Sequence, residues 1–410
     1  MKTITTAIIG GGAAGLIVAT ALKNSKNTIL FERGERLGRK LSATGNGQGN
    51  LTNLAALQTD YFSVCGFGEK QAKNILRTYD QNSFCQYLRA LGVLTFADER
   101  GRVYPTGRQA SSITDALRFC VAARGIDVRL SAQVVDIKPS GDGFILTVKT
   151  TEGEERYFAK NVALCVGGKA AKNFGTDGTA YALAEKLGHS VTALYPSLVQ
   201  LKTQTTYIKT LKGLRVNDGG LTAFVGGENI CSLRGDVIFT DYGVSGDAVF
   251  RISAFLTNKI GRENVQLQID FLPEFTEDTV LATLQEKRAS FPDLPTQELL
   301  CGIVNNQIGR TILKRADGDL KKAAAFTKAF PLEVTGSLGF DYAQVTKGGV
   351  PMSEVDEILQ SKLQNGLYFA GEILDVDGQC GGFNLQWAYS SARTIATALD
   401  EKILKGGGQV

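Results

Sequence analysis

Four residues near the start of the chain have the types and spacing of a dinucleotide-binding turn. Gly10, Gly12 and Gly15 form a G-x-G-x-x-G pattern between a short apolar run and a helix-like segment. The first glycine permits a tight turn, the second lets a pyrophosphate approach the backbone, and the third lets the helix pack closely on the strand. Glu32 follows the pattern by about 20 residues, where a carboxylate can accept a hydrogen bond from a ribose hydroxyl. A glycine turn without a ligand is the alternative, but the two strands, the helix and the acid together favour dinucleotide binding.

A second strand that ends in glycine and an acid lies near the other end of the chain. The apolar strand Leu367–Ala370 is followed by Gly371 and Glu372, and a glycine-rich loop then leads into a helix from Leu385. A carboxylate at such a strand end can bind a polyol hydroxyl, and the helix start offers N–H groups to an anion. A nicotinamide cofactor does not require this polyol contact, whereas FAD has a ribitol chain. The two strand ends therefore predict non-covalent FAD.

Two further segments are candidates for the same ligand. Leu41–Asn53 alternates small and polar residues with glycine, so its N–H groups and the side chains of Thr44, Asn46 and Asn50 can contact an anionic or polar group. A flexible linker is the alternative, but linkers seldom lie inside one nucleotide-binding unit. A third apolar strand ends at Gly167 and suggests another backbone approach to the ligand.

Composition and charge exclude several classes of protein. The chain has 410 residues, of which 43% are hydrophobic and 21% are charged, as in ordinary globular proteins. A net charge of +4 is too small to indicate nucleic acid or a membrane surface as a partner. The seven cysteines are odd in number and never spaced C-x-x-C, which is typical of reduced thiols. We expect a cytoplasmic protein that acts on a small molecule, without nucleic-acid or membrane partners, and the oligomeric state is left open.

The single histidine, His189, limits the chemistry that side chains can supply. A multi-histidine metal site is excluded, and no metal is predicted. Histidine-dependent nucleophilic catalysis would need this residue, which we interpret as a helix C-terminal residue that interacts with the last carbonyl groups. Chemistry carried by a bound cofactor needs no histidine. No catalytic residue is predicted.

The pattern of elements predicts an α/β fold with inserted segments. Periodicity predicts helices over Glu69–Leu91 and Leu385–Leu399, and in the stretches DTVLATLQEKRA and QELLCGIVNNQIGRTILKRA. Short β-like segments with glycine turns follow Val191. We predict a discontinuous cofactor domain over 1–190 and 342–410, a β-rich substrate domain over 191–255 and 325–341, and a helical insert over 256–324.

With these residues in view, the chain resembles a bacterial flavoprotein family. The matching segments are GGGAAG, GRKLSATGNGQGNLTN, GTDGTAYALAEKLGHS, GDVIFTDYGVSGDAVF, VTKGGV and GLYFAGEILDVDGQCGGFNLQWAYSSA, which extend from residue 8 to about residue 395. They resemble the three-domain flavoproteins called aminoacetone oxidase-like, or BaiN-like, which are NAD(P)/FAD-dependent oxidoreductases. The resemblance implies a Rossmann-type FAD-binding domain, an inserted β-barrel-like domain and a small helical insert.

The motifs and the resemblance together predict the cofactor contacts. These are expected at Gly10, Gly12, Ala13, Ala14, Gly15, Glu32, Arg33, Arg39, Lys40, Thr44, Asn46, Asn50, Val134, Gly167, Gly371, Glu372, Gly382, Phe383, Asn384, Leu385 and Gln386. The chain departs from the family pattern at two places. It has Gln48 and Gly49 where the family usually has arginine and cysteine, and Asp241 where the family tends to have histidine.

The resemblance also implies where substrate would bind. Asp241, Tyr242 and Ser245 in the loop FTDYGVSGD are the predicted substrate residues. An aspartate there favours a cationic substrate such as an amine, although an aspartate beside glycine as commonly caps a turn.

The function class that follows is an FAD-dependent oxidoreductase of a small organic substrate. It could be an amine or aminoketone oxidase that produces hydrogen peroxide, or a reductase of an enone-type substrate with NAD(P)H as a transient electron donor. No second complete nucleotide-binding unit occurs in the sequence, which favours an oxidase or a transient nicotinamide site. A non-catalytic FAD-binding redox protein is a further alternative, and the absence of a basic stripe disfavours nucleic-acid modification.

Overall fold

The structure, a computed structural model, describes residues 1–59, 61–66 and 68–406. Its strands are β1 (Lys2–Ile9), β2 (Thr28–Phe31), β3 (Thr52–Asn53), β4 (Tyr61–Phe62), β5 (Thr95–Ala97), β6 (Arg102–Pro105), β7 (Asp127–Arg129), β8 (Gln133–Ser140), β9 (Gly143–Lys149), β10 (Glu154–Leu164), β11 (Tyr195–Ser197), β12 (Leu201–Thr203), β13 (Arg215–Val225), β14 (Glu228–Phe239), β15 (Gly243–Ser245), β16 (Val265–Asp270), β17 (Phe330–Ser337), β18 (Val345–Lys347), β19 (Leu367–Phe369) and β20 (Asp377–Gly378). Its α-helices are α1 (Ala13–Ala21), α2 (Gly68–Thr78), α3 (Gln81–Ala90), α4 (Ala110–Ala123), α5 (Tyr181–Lys186), α6 (Asp247–Leu256), α7 (Glu277–Ser290), α8 (Asn306–Arg315), α9 (Leu320–Lys328) and α10 (Phe383–Gly406). The predicted α/β fold class is confirmed.

The chain divides into two compact units. The first consists of Met1–Tyr195 and Val345–Val410, so both ends of the chain form it, and the second is Pro196–Gln344. The span 256–324 contains β16 as well as helices α7 and α8. The division into three domains stays a prediction.

The main sheet of the first unit is Rossmann-type. Its parallel strands β7, β2, β1, β10 and β19 are neighbours in that order, and β8 and β9 extend β10 as an antiparallel meander. All four residues of β2 are buried, as are the last four of β1. Continuous apolar runs of this kind are typical of parallel strands that are covered on both faces.

Helix α1 packs tightly on the turn that precedes it. A Cβ atom added to Gly15 would lie 1.8 Å from the carbonyl oxygen of Gly10. Residues 14–20 of α1 are all buried, because the helix is covered on every side. This close packing is the role that the third glycine of the motif was predicted to have.

The second unit contains a closed barrel with the strand order β12, β15, β14, β13, β16, β17. Leu221 of β13 is in register with Leu233 of β14 and with Ile269 of β16, so apolar residues line the interior. The barrel and helices α7 to α9 share one hydrophobic core, in which Leu267 and Leu284 are fully buried.

His189 is held by two side chains. Its Nδ1 lies 2.7 Å from Glu354 Oε2, and its Nε2 lies 2.7 Å from Ser361 Oγ. The Ser361 hydroxyl also accepts hydrogen bonds from the N–H groups of Leu363 and Gln364. The backbone N–H of His189 donates to the Ala184 carbonyl of α5 at 3.1 Å, so the predicted contact with the last helix carbonyls is made by the backbone and not by the ring.

Three chemical features follow from the described part of the chain. No helix there is both long enough and apolar enough to span a membrane. No group of three or more His, Cys, Asp or Glu residues there is arranged to hold a metal ion. The seven cysteines are free thiols, and burial raises the pKa of Cys165 well above its ordinary range.

The contact between Gly15 and Gly10 predicts a loss of stability for Gly15→Ala. The added methyl group must move either α1 or the turn, which should lower the free energy of unfolding by about 1–3 kcal/mol. Urea unfolding measures this change. Gly107→Ala is the matched control, because its Cβ would meet nothing described within 4 Å. Equal unfolding curves for the two variants would contradict the prediction.

Candidate functional site

Three parallel strands of the first unit end side by side. Ile9 of β1 is in register with Leu164 of β10, which is in register with Phe369 of β19. A glycine with positive φ follows each strand, namely Gly10 at 102°, Gly167 at 74° and Gly371 at 80°. The three chain segments that were predicted to contact one ligand therefore leave the sheet at one edge. Ligands of open α/β sheets bind at this carboxyl edge.

The glycine turn fits an anionic ligand. Gly12 is the N-cap of α1 and makes no side-chain capping hydrogen bond. A Cβ added to it would meet nothing within 4 Å among the described residues, so the backbone is open to a close approach. The N–H groups of the first helical turn, which includes Ala13 and Ala14, have no acceptor within the helix. Together with the helix dipole they favour a pyrophosphate.

Both carboxylate oxygens of Glu32 hold the turn. Oε2 accepts the N–H of Gly11 at 2.7 Å, and Oε1 accepts the N–H of Gly34 at 2.7 Å. A carboxylate has about four acceptor positions, so Glu32 can also accept ribose hydroxyls. Its own carbonyl accepts the N–H of Ala132 at 2.9 Å, which brings the start of β8 and Val134 beside it.

An ion pair joins Lys40 and Glu372, which are far apart in sequence. Lys40 Nζ lies 2.7 Å from Glu372 Oε2, and the Thr346 N–H donates to Glu372 Oε1 at 2.9 Å. The Thr346 hydroxyl accepts the N–H groups of Lys169 and Ala170. A Cβ at the neighbouring Gly168 would lie 2.6 Å from Glu372 Oε1, so only glycine fits there. The network connects the first loop to both other strand ends.

Arg33 and Arg39 contact the segment that precedes α5. Arg33 Nε donates to the Gly175 carbonyl at 3.0 Å, and its guanidinium pairs with Asp177 at 3.0 Å. Arg39 donates to the Asn173 carbonyl at 2.8 Å. Burial raises the pKa of the Asp177 carboxyl, but hydrogen bonds from Thr179 and Arg33 outweigh it and lower this pKa to about 2.

The polar loop after Lys40 has an unsatisfied acceptor. Thr44 Oγ1 donates to the Leu41 carbonyl at 2.8 Å, and Asn46 is exposed with a φ of 53°. Asn50 Oδ1 is buried and has no hydrogen-bond partner within the described ranges. A buried amide oxygen without a partner is costly, so a ligand donor would fit there. Gln48 accepts a hydrogen bond from Arg108.

Side chains of the last glycine loop mainly shape the loop itself. Asn384 accepts the N–H of Gly378 and donates to its carbonyl, both at 2.8 Å. A Cβ at Gly382 would lie 2.4 Å from the Thr52 carbonyl. The fully buried Gln386 bonds with Thr52, Tyr79 and Ser390. Phe383 is buried and Leu385 is partly buried, so contacts of this segment with a ligand would fall on the backbone at the start of α10.

A buried ion pair next to this network was not predicted from the sequence. Lys347 Nζ lies 3.1 Å from Asp377 Oδ1, and these side chains are 6% and 1% exposed. Burial raises the pKa of Asp375 nearby, although its hydrogen bonds from the N–H groups of Val64 and Cys65 oppose that rise. Thr346 and Lys347 lie in VTKGGV, a segment that the resemblance already contained, which was the available signal.

The predicted substrate residues lie in the second unit, in and before β15. Asp241 Oδ2 pairs with Lys212 Nζ at 2.8 Å, and this hydrogen bond lowers the pKa of the exposed carboxyl. The Tyr242 carbonyl accepts the N–H of Thr203 at 3.0 Å. Ser245 is in register with Ile238 of β14. A role of these residues in substrate binding stays a prediction.

The residues of the first unit fit FAD. The open position at Gly12, the acceptor capacity of Glu32 and the unpaired Asn50 oxygen match a phosphate, a ribose and a donor group respectively. The individual contacts stay predictions.

Comparison with known proteins gives full-length matches. The family model described as "HI0933-like protein Rossmann domain" matches residues 4–398. The chain is 33% identical to the 3-dehydro-bile acid delta(4,6)-reductase of Clostridium scindens, over 96% of this chain and 98% of that protein. It is 28% identical to the ribosomal RNA dihydrouridine synthase of Haemophilus influenzae, over 96% and 98%. The 3-ketosteroid-delta4-(5alpha)-dehydrogenase structure from Rhodococcus jostii RHA1 has a similar fold, with a TM-score of 0.53, 15% identity and coverage of 97% of both chains.

Because the position at Gly12 is open, we predict that Gly12→Ala weakens FAD binding without changing the stability of the fold. The added methyl group should obstruct the phosphate while it contacts no described protein atom. We expect an FAD dissociation constant raised at least about tenfold, which corresponds to about 1.4 kcal/mol, with unchanged urea unfolding of the FAD-free protein. Flavin fluorescence titration measures the affinity. Normal FAD affinity would argue against the predicted phosphate position.

The two hydrogen bonds of Glu32 predict a double effect of Glu32→Ala. FAD binding should weaken by about 1.5–3 kcal/mol, the scale of a hydrogen bond to a charged group. The unfolding free energy of the FAD-free protein should also fall, because the N–H groups of Gly11 and Gly34 lose their acceptor. Titration and urea unfolding check the two effects. The control is Glu35→Ala, which removes an exposed acid nearby, and an equal loss of affinity there would refute the assignment.

The lowered pKa of Asp177 predicts a pH-dependent contribution to stability. A carboxyl with a depressed pKa stabilises the fold above its ordinary pKa of about 3.9, and this contribution is lost as pH falls through the folded pKa, here about 2. The difference in unfolding free energy between wild type and Asp177→Asn should therefore be constant above about pH 5 and shrink below it. Asp142→Asn, at an exposed turn, is the control. A difference that grows toward acid pH would contradict the sign.

Proposed function

The chain belongs to the HI0933-like Rossmann-domain family of FAD-dependent flavoprotein oxidoreductases, and from that premise we propose that it reduces a carbon–carbon double bond conjugated to a carbonyl group. The sequence resemblance to the BaiN-like family is confirmed by these matches. The enone-type reductase was one of the functions that the sequence left open.

The observation that carries the proposal is a shared chemistry of the two full-length relatives. A 3-oxo steroid with double bonds at positions 4 and 6 contains a conjugated dienone, and the first relative is named as a reductase of that type of bond. Dihydrouridine differs from uridine by saturation of the ring double bond next to a carbonyl, and the second relative is named as a synthase of that product. Both reactions add a hydride and a proton across an activated double bond.

The residues of the first unit support this function by holding the cofactor. When bound, FAD supplies the hydride chemistry. We assign Gly12 and the start of α1 to its phosphates, Glu32 to its ribose, and the Lys40–Glu372 pair to its ribitol region. Net reduction needs an electron donor, and we propose NAD(P)H. Because the glycine turn is assigned to FAD, the donor would bind transiently.

The amine oxidase alternative has weaker support. It had two supports in the sequence, namely the lack of a second complete nucleotide-binding unit, which fits a transient nicotinamide site equally well, and Asp241 as the partner of a cationic substrate. Asp241 is already paired with Lys212 at 2.8 Å, so an amine would have to displace that lysine.

Anaerobic mixing tests the proposed function. The FAD-loaded protein is mixed without oxygen with NADH or NADPH, and the flavin absorbance is followed. We expect one nicotinamide to bleach the flavin and a 3-oxo-4,6-diene steroid to restore its colour. Gly12→Ala, freed of unbound FAD, is the control, and both absorbance changes should be reduced in proportion to the flavin that it has lost. Bleaching by amines or aminoketones alone, with peroxide formed on admitting oxygen, would replace the reductase by an oxidase.

A further inference from the structure

Arg108 has a strained backbone conformation in the loop between β6 and α4. Its φ is 45°, in the left-handed region that residues with a side chain seldom adopt. Asn, Asp and Gly adopt this region more readily than Arg does. Strained residues of this kind concentrate at ligand sites, where the surrounding structure enforces them.

The guanidinium of Arg108 is held in place without a carboxylate. Its central carbon lies 4.8 Å from the ring centroid of Phe96 and 5.1 Å from that of Tyr104. Its Nη1 donates to Gln48 Oε1 at 3.0 Å. No acidic side chain in the described ranges forms an ion pair with it. Of its five N–H donors, Gln48 uses one, and Arg108 is an exposed residue.

The loop of Arg108 is packed against the predicted cofactor loop. The Ala110 N–H donates to the Gly47 carbonyl at 2.8 Å, and a Cβ at Gly49 would lie 3.1 Å from Ala110 Cα. Strand β6 pairs with β3, where Asn53 Nδ2 donates to the Gly381 carbonyl at 3.2 Å. The strand and loop around Arg108 therefore connect two segments that are assigned to FAD, namely the loop around Gly47 and the glycine loop at Gly381. The nearby Asp98 is already paired with Arg102 at 2.7 Å, so it does not neutralise Arg108.

We infer that Arg108 is a specificity-determining residue that binds an oxyanion of the substrate, a carboxylate or a phosphate. This inference rests on the proposed function, because it assigns a second recognition point to the molecule that carries the reducible double bond. A guanidinium presents paired donors that match two oxygens of either anion. The two aromatic rings orient this fork before the anion arrives, so less side-chain freedom is lost on binding.

A pair of substrates that differ only in charge tests the carboxylate arm. The FAD-loaded protein reduces a 3-oxo-4,6-diene steroid whose side chain ends in a carboxylate, or the methyl ester of the same compound. We expect wild type to prefer the acid by about tenfold in kcat/KM, mainly through KM. Uridine 5′-phosphate and uridine form the phosphate arm, and the arm with the larger discrimination identifies the anion.

Two substitutions of Arg108 separate charge from loop conformation. Arg108→Asn keeps a residue that tolerates the left-handed backbone but removes the cation, so the ratio of kcat/KM between the charged and the neutral substrate should fall to about one. Arg108→Lys keeps the charge without the fork and should retain part of the preference. Arg156→Ala is the control, because Arg156 is an exposed arginine near the amino end of β10, whereas the predicted cofactor site is at the carboxyl end of that strand. It should keep the full preference.

The outcomes distinguish this inference from the proposed function. If wild type reduces the charged and the neutral member of both pairs equally, or if the preference survives in Arg108→Asn, the inference is overturned and the reductase stands. If neither substrate pair is reduced, the proposed function is wrong. The role of Arg108 is then tested by measuring anion binding. Benzoate and inorganic phosphate are then titrated into the FAD-loaded protein while the flavin spectrum is followed. Equal dissociation constants for wild type and Arg108→Asn would overturn the inference, and an affinity at least fivefold weaker in Arg108→Asn would support it.

Discussion

The position of β10 is the constraint on which the cofactor site depends. Its carboxyl-terminal half lies between β1 and β19, with all three strands parallel. This arrangement alone makes Gly10, Gly167 and Gly371 leave the sheet together, although they are widely separated in the sequence. The last four residues of β10 are all buried, so the apolar core on both faces of the sheet holds this half of the strand in place. The geometry of the site is thus a result of core packing.

Polar contacts then connect the loops that the sheet brings together. Charges that are partly buried stabilise a fold only when each has several partners. Glu372 meets this condition, because one of its oxygens pairs with the Lys40 ammonium group and the other accepts a hydrogen bond from the Thr346 N–H. Glu32 meets it with two backbone N–H groups. Each acid therefore orders protein segments and also retains positions that can accept hydrogen bonds from a ligand.

Patterns of neighbouring residues predicted the motifs well, but they could not predict which distant segments contact each other in the fold. The glycine spacing identified the turn before α1 because that conformation depends on adjacent residues. Periodicity suggested one helix over Glu69–Leu91, whereas α2 ends at Thr78 and Asp80 caps α3 by accepting the Ser83 N–H. In QELLCGIVNNQIGRTILKRA only Asn306–Arg315 is an α-helix, which Asn305 caps. The Lys347–Asp377 and Arg108–Gln48 contacts join distant segments, so no spacing in the sequence could indicate them.

The division of the first unit between the two ends of the chain has a consequence for biosynthesis. Ribosomes release a polypeptide from its amino end, and domains generally fold as units while synthesis continues. Pro196–Gln344 is contiguous and can fold as soon as it has left the exit tunnel. The glycine turn and Lys40 are made much earlier, but the carboxyl edge of the sheet is complete only after β19 and Glu372, the partner of Lys40, have been made. Flavin loading is therefore one of the last events in maturation, and a nascent chain that stalls before residue 367 would contain a folded barrel and also a sheet with an open, aggregation-prone edge.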